Sequence, residues 1–140
     1  MMAREGVKLA ITARRRDRLE EVASAIQAEG FERPVVIDAD LTEEDAPMLI
    51  HEAVQSAFGP LDILVNNAGG STPMTPDVSD SDWEKSFALN FTAARRLTAV
   101  MVPDMRARGW GRVVNISGTM EPDGINAACG SVNPSASPMT

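Results

Sequence analysis

The feature that most constrains this chain is an alternation of two periods. Short apolar, β-branched runs, each too brief to be a helix, are separated by longer segments whose apolar residues recur at helical spacing. The runs are Val7 to Thr12, Pro34 to Ala39, Leu61 to Val65 and Arg112 to Ile116. Between the first two, Leu19, Val22, Ala23 and Ile26 form one helical face,. Asp17 and Glu20 have the spacing of a helix cap, and Gly30 suits the helix end,. Between the second and third runs, Leu49, Ile50, Ala53, Val54, Ala57 and Phe58 lie on one stripe, which Gly59-Pro60 terminates,. Ser79, with Asp82 three residues on, opens a long helical segment reaching about Ala107,. Trp83, Phe87, Leu89, Phe91, Leu97, Val100 and Met101 supply its apolar surface, and Pro103 predicts a kink in its last turns,.

The order β-α-β-α-β-α-β predicts an α/β fold: a parallel sheet, helices on both faces, right-handed crossovers. At 140 residues the chain has room for one domain,. From Cys129 to Thr140 it loses periodicity, so residues 1–126 are read as the domain and 127–140 as an irregular tail.

Charge excludes one class of partner. A net charge of −7 would repel a phosphate backbone, so nucleic acid is not expected,. The single cysteine, Cys129, cannot form an internal disulfide, and no apolar run approaches the ~20 residues of a membrane span,. With no signal-type stretch at the start, a cytoplasmic location is expected. No metal site is expected, and His51 and Cys129 receive no role.

In open parallel sheets, ligands bind at the carboxyl ends of strands. The residues following the four runs are Arg14-Arg15-Arg16, Asp40-Leu41, Asn66 to Gly70, and Ser117-Gly118. Guanidinium groups suit a phosphate, and a carboxylate beside an apolar residue suits an adenine amino group and ring face. A turn of small residues lets backbone approach a ribose.

Four blocks then stand in order: Leu61-Asp62-Ile63-Leu64-Val65-Asn66-Asn67-Ala68-Gly69, Asp82-Trp83, Ala88-Leu89-Asn90, and Gly111-Arg112-Val113-Val114-Asn115-Ile116-Ser117. On these the chain resembles the short-chain dehydrogenases/reductases, of the kind that includes 3-oxoacyl-carrier-protein reductases. The resemblance covers about Arg4 to Ser117.

It implies a Rossmann-type doubly wound sheet and an NAD(P)-dependent oxidoreductase acting on a small-molecule carbonyl or secondary alcohol. Asn66, Asn67, Ala68 and Gly69 resemble the turn that lies against the adenosine ribose, and Asp40 with Leu41 the adenine reader. Asn90 resembles the helix asparagine whose carbonyl holds a water of the proton relay. Family members that use NAD carry an acid where this chain has Ala13, followed by Arg14 and Arg15. The resemblance therefore implies NADP(H) over NAD(H), with Arg14 and Arg15 on the 2′-phosphate.

The departures matter equally. The family opens with a strand and glycine-rich loop before the first segment seen here, and continues with further strands; both are read as missing. Ser117 takes the first of two serine places and Gly118 the second, the catalytic one. The family's tyrosine has no counterpart, since the chain contains none, and no lysine lies beyond Lys85. One expectation is that a frame change produced the 129–140 tail.

In the family's strand order, 3-2-1-4-5 and onward, a missing first strand leaves the Val7 and Leu61 runs unpaired on facing edges. The isolated chain is therefore expected to aggregate, and to form a family-like homo-oligomer only if complete. Two further readings stay open: a non-catalytic nucleotide-binding protein, and an inactive gene fragment.

Overall fold

A computed structural model describes residues 2–70 and 78–117. After a short 3-10 turn (Met2–Glu5), the elements are β1 (Ala10–Ala13), α1 (Arg16–Ala28), β2 (Val35–Asp38), α2 (Ala46–Phe58) and β3 (Ile63–Asn66). A long helix follows in three parts: α3 (Asp80–Phe87), a π turn (Ala88–Thr92) and α4 (Ala93–Ala107). Strand β4 (Arg112–Asn115) ends the described chain's regular structure. The alternation expected from the two periods is thus present.

The strands are parallel. β1 pairs with β2, placing Ala10 beside Val35 and Ala13 beside Asp38. β3 pairs with β4, placing Ile63 beside Arg112 and Asn66 beside Asn115. The two pairs form separate two-stranded sheets, so among the described residues β1 and β3 each have one hydrogen-bonded neighbour. This is the division that the strand order 3-2-1-4-5 implies when its central member is absent. The strands are shorter than their apolar runs. β1 starts at Ala10 rather than Val7 because a ladder needs both partners, and β2 offers its first amide at Val35, which donates to the Leu9 carbonyl at 2.8 Å,.

Helices bridge what the sheets leave apart. Ile37 of β2, Ile50 and Val54 of α2, Leu64 of β3, and Leu97, Met101 and Met105 of α4 form one buried cluster. α2 packs on β2 and α4, while α4 packs on β3 and β4. The apolar contact of α2 with α4 therefore joins the strand pairs. Gly111 lies under α4, where an added Cβ would fall 2.5 Å from Met105, so only glycine lets the chain pass this close on its way into β4,.

Several local expectations are corrected. Asp17 does not cap α1: the cap position is Arg15, without a side-chain hydrogen bond, and Asp17 lies in the first helical turn. Val22 and Leu49 are exposed although each lies on a predicted apolar stripe; the buried faces are Leu19, Ala23 and Ile26 in α1, and Ala46, Pro47, Ile50 and Val54 in α2. Trp83, Phe87 and Phe91 also face outward, with Phe87 and Phe91 ring centroids 4.9 Å apart. Pro103 lies within α4 and does not end it. Ser79 does cap α3: its hydroxyl accepts from the Asp82 amide at 3.2 Å and donates to the Asp82 carboxylate at 2.7 Å. The 127–140 tail and Gly118 lie outside the described residues.

Candidate cofactor-binding site

The strand ends create the site. Past Ala13 the chain leaves β1 through Arg14 and Arg15, both exposed, and enters α1 at Arg16. Past Asp38 it leaves β2 through Ala39, Asp40 and Leu41. Asp40 is fixed by its own turn: one carboxylate oxygen accepts from the Thr42 amide at 2.9 Å and from the Thr42 hydroxyl at 2.7 Å,. Those bonds lower the Asp40 pKa, with a smaller contribution from the positive charge of Arg14,. The second carboxylate oxygen has no such partner among the described residues, leaving an acceptor for an amino group. Leu41 is half-buried against the core cluster.

The first two strand ends thus bring Arg14 and Asp40 within electrostatic reach of each other. Arg14 and Arg15 have no carboxylate partner among the described residues. Arg16 differs, being paired with Asp38 and Glu20.

The third strand end divides into an anchor and a loop. Asn66 is buried, and its side-chain amide donates to the Asn115 side chain at 2.8 Å and to the Thr98 hydroxyl at 3.1 Å. It thereby ties β3 to both β4 and α4, and its side chain turns inward. Asn67, Ala68 and Gly69 are exposed. Asn90, within the π turn, holds the loop's far end. Its side chain accepts from the Gly70 amide at 3.0 Å and donates to the Gly70 carbonyl at 2.9 Å and the Ser86 carbonyl at 2.9 Å. Gly69 must be small here, since an added Cβ would lie 2.9 Å from the Asn90 Oδ1. Ser117, after β4, is exposed at the edge of the described chain.

Sequence reasoning missed one polar cluster. His51, given no role from the sequence, has Nε2 2.9 Å from Asp104 Oδ2, and the Gln55 amide donates to the same oxygen. The bond from His51 is the leading cause that lowers the Asp104 pKa. It lies at the α2–α4 contact, so its discovery required knowing which helices meet; no local signal in the sequence reports that. Among the described residues, no helix is long and apolar enough to cross a membrane and no three metal-ligating side chains cluster.

Parallel strand pairs flanked by helices are the architecture of a doubly wound, Rossmann-like α/β protein,. A family model, short chain dehydrogenase, matches residues 1–129. The chain belongs to the short-chain dehydrogenase/reductase family. An uncharacterized oxidoreductase of Mycobacterium tuberculosis is 38% identical over 120 residues, covering 84% of this chain and 45% of that protein. The crystal structure of L-sorbose reductase from Gluconobacter frateurii, complexed with NADPH and L-sorbose, superposes with a TM-score of 0.76 at 36% identity, over 81% of this chain and 44% of that one. A 7α-hydroxysteroid dehydrogenase complexed with NADH superposes with a TM-score of 0.73 at 28% identity, over 79% of this chain and 43% of that one. The chain thus spans about half the length of these relatives.

Proposed function

We propose that residues 1–126 are part of a dinucleotide-binding domain that holds NADP(H), in an oxidoreductase acting on a small-molecule carbonyl or secondary alcohol. The observation that carries this reading is the contrast among three consecutive arginines: Arg16 is bound to carboxylates, while its neighbours Arg14 and Arg15 are exposed and without one. Two uncommitted guanidinium groups, with Arg14 within electrostatic reach of Asp40, suit a ribose 2′-phosphate next to an adenine,. Among relatives, the sorbose reductase holds NADPH and the hydroxysteroid dehydrogenase NADH. The preference here therefore rests on Arg14 and Arg15.

In this reading Asp40 accepts from the adenine amino group through its uncommitted oxygen, and Leu41 lies under the ring. Asn67, Ala68 and Gly69 offer a close backbone surface to the ribose, while Asn66 fixes that surface from within the sheet. The cofactor, when bound, supplies or takes a hydride. Asn90 contributes a carbonyl to hold water, and Ser117 is the candidate hydroxyl at the fourth strand end. The family's proton-transfer tyrosine has no counterpart in these 140 residues. Grip on the cofactor is the part of the reaction we assign here, and a nucleotide-binding protein without turnover is the second reading. Self-association is supported by the exposed aromatic face of Trp83, Phe87 and Phe91,.

Titration with NADPH, followed by nicotinamide fluorescence, tests the proposal. Tight binding with turnover of a carbonyl supports the enzyme, and binding without turnover supports the second reading. No binding in the full-length gene product refutes both.

A further inference from the structure

We infer that Arg16 is a specificity-determining residue, which acts by masking the Asp38 carboxylate at the cofactor's phosphate subsite; the inference rests on the NADP(H) reading above. The argument begins with register. In the β1–β2 ladder, Ala13 and Asp38 are direct partners. The last position of β1 is alanine, yet a carboxylate stands beside it on the neighbouring strand. Left bare, that carboxylate would accept from a ribose diol and repel a phosphate dianion, the behaviour of a site suited to the unphosphorylated cofactor.

It is not bare. The Arg16 guanidinium donates to Asp38 Oδ1 at 2.6 Å. Its other nitrogen lies 3.5 Å from Glu20 Oε1, and Glu20 also pairs with Arg33. Arg16 is the first residue of α1, so the helix start aims its side chain back across the strand ends. Both partners remain open to a ligand, with side chains 62% and 48% exposed. The three arginines therefore divide the work. Arg16 cancels the one carboxylate beside Ala13, and Arg14 and Arg15 present positive charge to what arrives. Without Arg16 the same surface would offer Asp38 first.

The test compares NADPH and NADH dissociation constants in the full-length gene product, at low ionic strength where surface charge is least screened. Arg16→Ala should cut the preference for NADPH by about three- to fivefold, the scale of one exposed ion pair. Arg16→Lys should stay near the parent, because a charge is retained. Adding Asp38→Asn to Arg16→Ala should restore the preference, since no carboxylate is left to mask. Asp38→Asn alone should hold or raise it, which keeps the idea testable if Arg16→Ala fails to fold. A loss in R16A that is equal for both nucleotides, or one that D38N does not reverse, overturns the role of Arg16 and makes the pair merely structural. A parent protein that binds NADPH no better than NADH overturns the cofactor reading itself, and this inference with it.

Discussion

Replacing Gly69 by alanine should destabilise the site by an amount that vanishes when Asn90 is also removed. The added Cβ would lie 2.9 Å from Asn90 Oδ1, closer than such atoms pack, so the amide must move. That amide is held by the Gly70 amide, the Gly70 carbonyl and the Ser86 carbonyl, at 3.0, 2.9 and 2.9 Å. Oδ1 accepts from the Gly70 amide and Nδ2 of the same planar group donates to the Gly70 carbonyl, so turning the amide away from the new Cβ strains both bonds, each worth about 0.5–1.5 kcal/mol net,. The expected cost of Gly69→Ala is thus about 1–3 kcal/mol. Backbone strain adds nothing, because Gly69 is not among the glycines with positive φ. In an Asn90→Ala background the obstruction is gone. There the same change should be neutral or stabilise by up to about 1 kcal/mol, as Gly→Ala does where the backbone allows it. Four proteins complete the cycle: parent, Gly69→Ala, Asn90→Ala and the double variant, compared by denaturant unfolding of the full-length gene product. Strict additivity would refute the contact, and with it the claim that Asn90 positions the loop after β3.

Three more outcomes are expected. Met101, 2% exposed at the α2–α4 contact, should cost about 2–5 kcal/mol when cut to alanine, read from the same unfolding curves,. Asp40, Asp82 and Asp104 have pKa values lowered in the fold by bonds chiefly from Thr42, Ser79 and His51. A lowered folded pKa means stability that is present above the unfolded value, about 3.9, and lost as pH falls through the folded values below it. Unfolding midpoints should therefore hold above about pH 5 and drop below about pH 4; an Asp104→Asn variant with an unchanged acid slope would show that its bond to His51 contributes nothing. The isolated 140-residue chain, in which each of the four described strands has an open edge, should sediment as aggregate,. A monomer with a sharp thermal transition would prove that wrong.

Much of this was legible in the chain itself. Periodicity reports burial, and burial is what distinguishes Val35-Val36-Ile37 from the stripe of Ile50 and Val54; both stand where expected. The Ser79–Asp82 cap is local chemistry and was equally readable. The residues at the strand ends follow from topology, so Arg14, Asp40 and Asn66 to Gly69 could be nominated together. What escaped depends on partners distant in sequence. His51 meets Asp104 across 53 positions, and Arg16 meets Asp38 across 22. Val22 and Leu49 sit at the margins of their stripes, where only the placement of the neighbouring element decides burial. The division of labour among Arg14, Arg15 and Arg16 is likewise invisible in a run of three identical letters.

The π turn at Ala88–Thr92 bears on what lengths of this helix evolution can tolerate. A π turn holds one residue more than the α turn it replaces. Deleting a single residue there would leave an ordinary, continuous helix, a change that looks harmless in an alignment. The wide turn has already absorbed that residue, so α3 and α4 would keep their bearings, and the core contacts of Leu97, Met101 and Met105 would not feel the change,. What would be felt is inside the turn, where Asn90 stands. Closing the turn re-aims Asn90 and costs its line to Gly70. The turn is therefore a place where the helix can change length without disturbing its packing, at the expense of the loop that Asn90 holds.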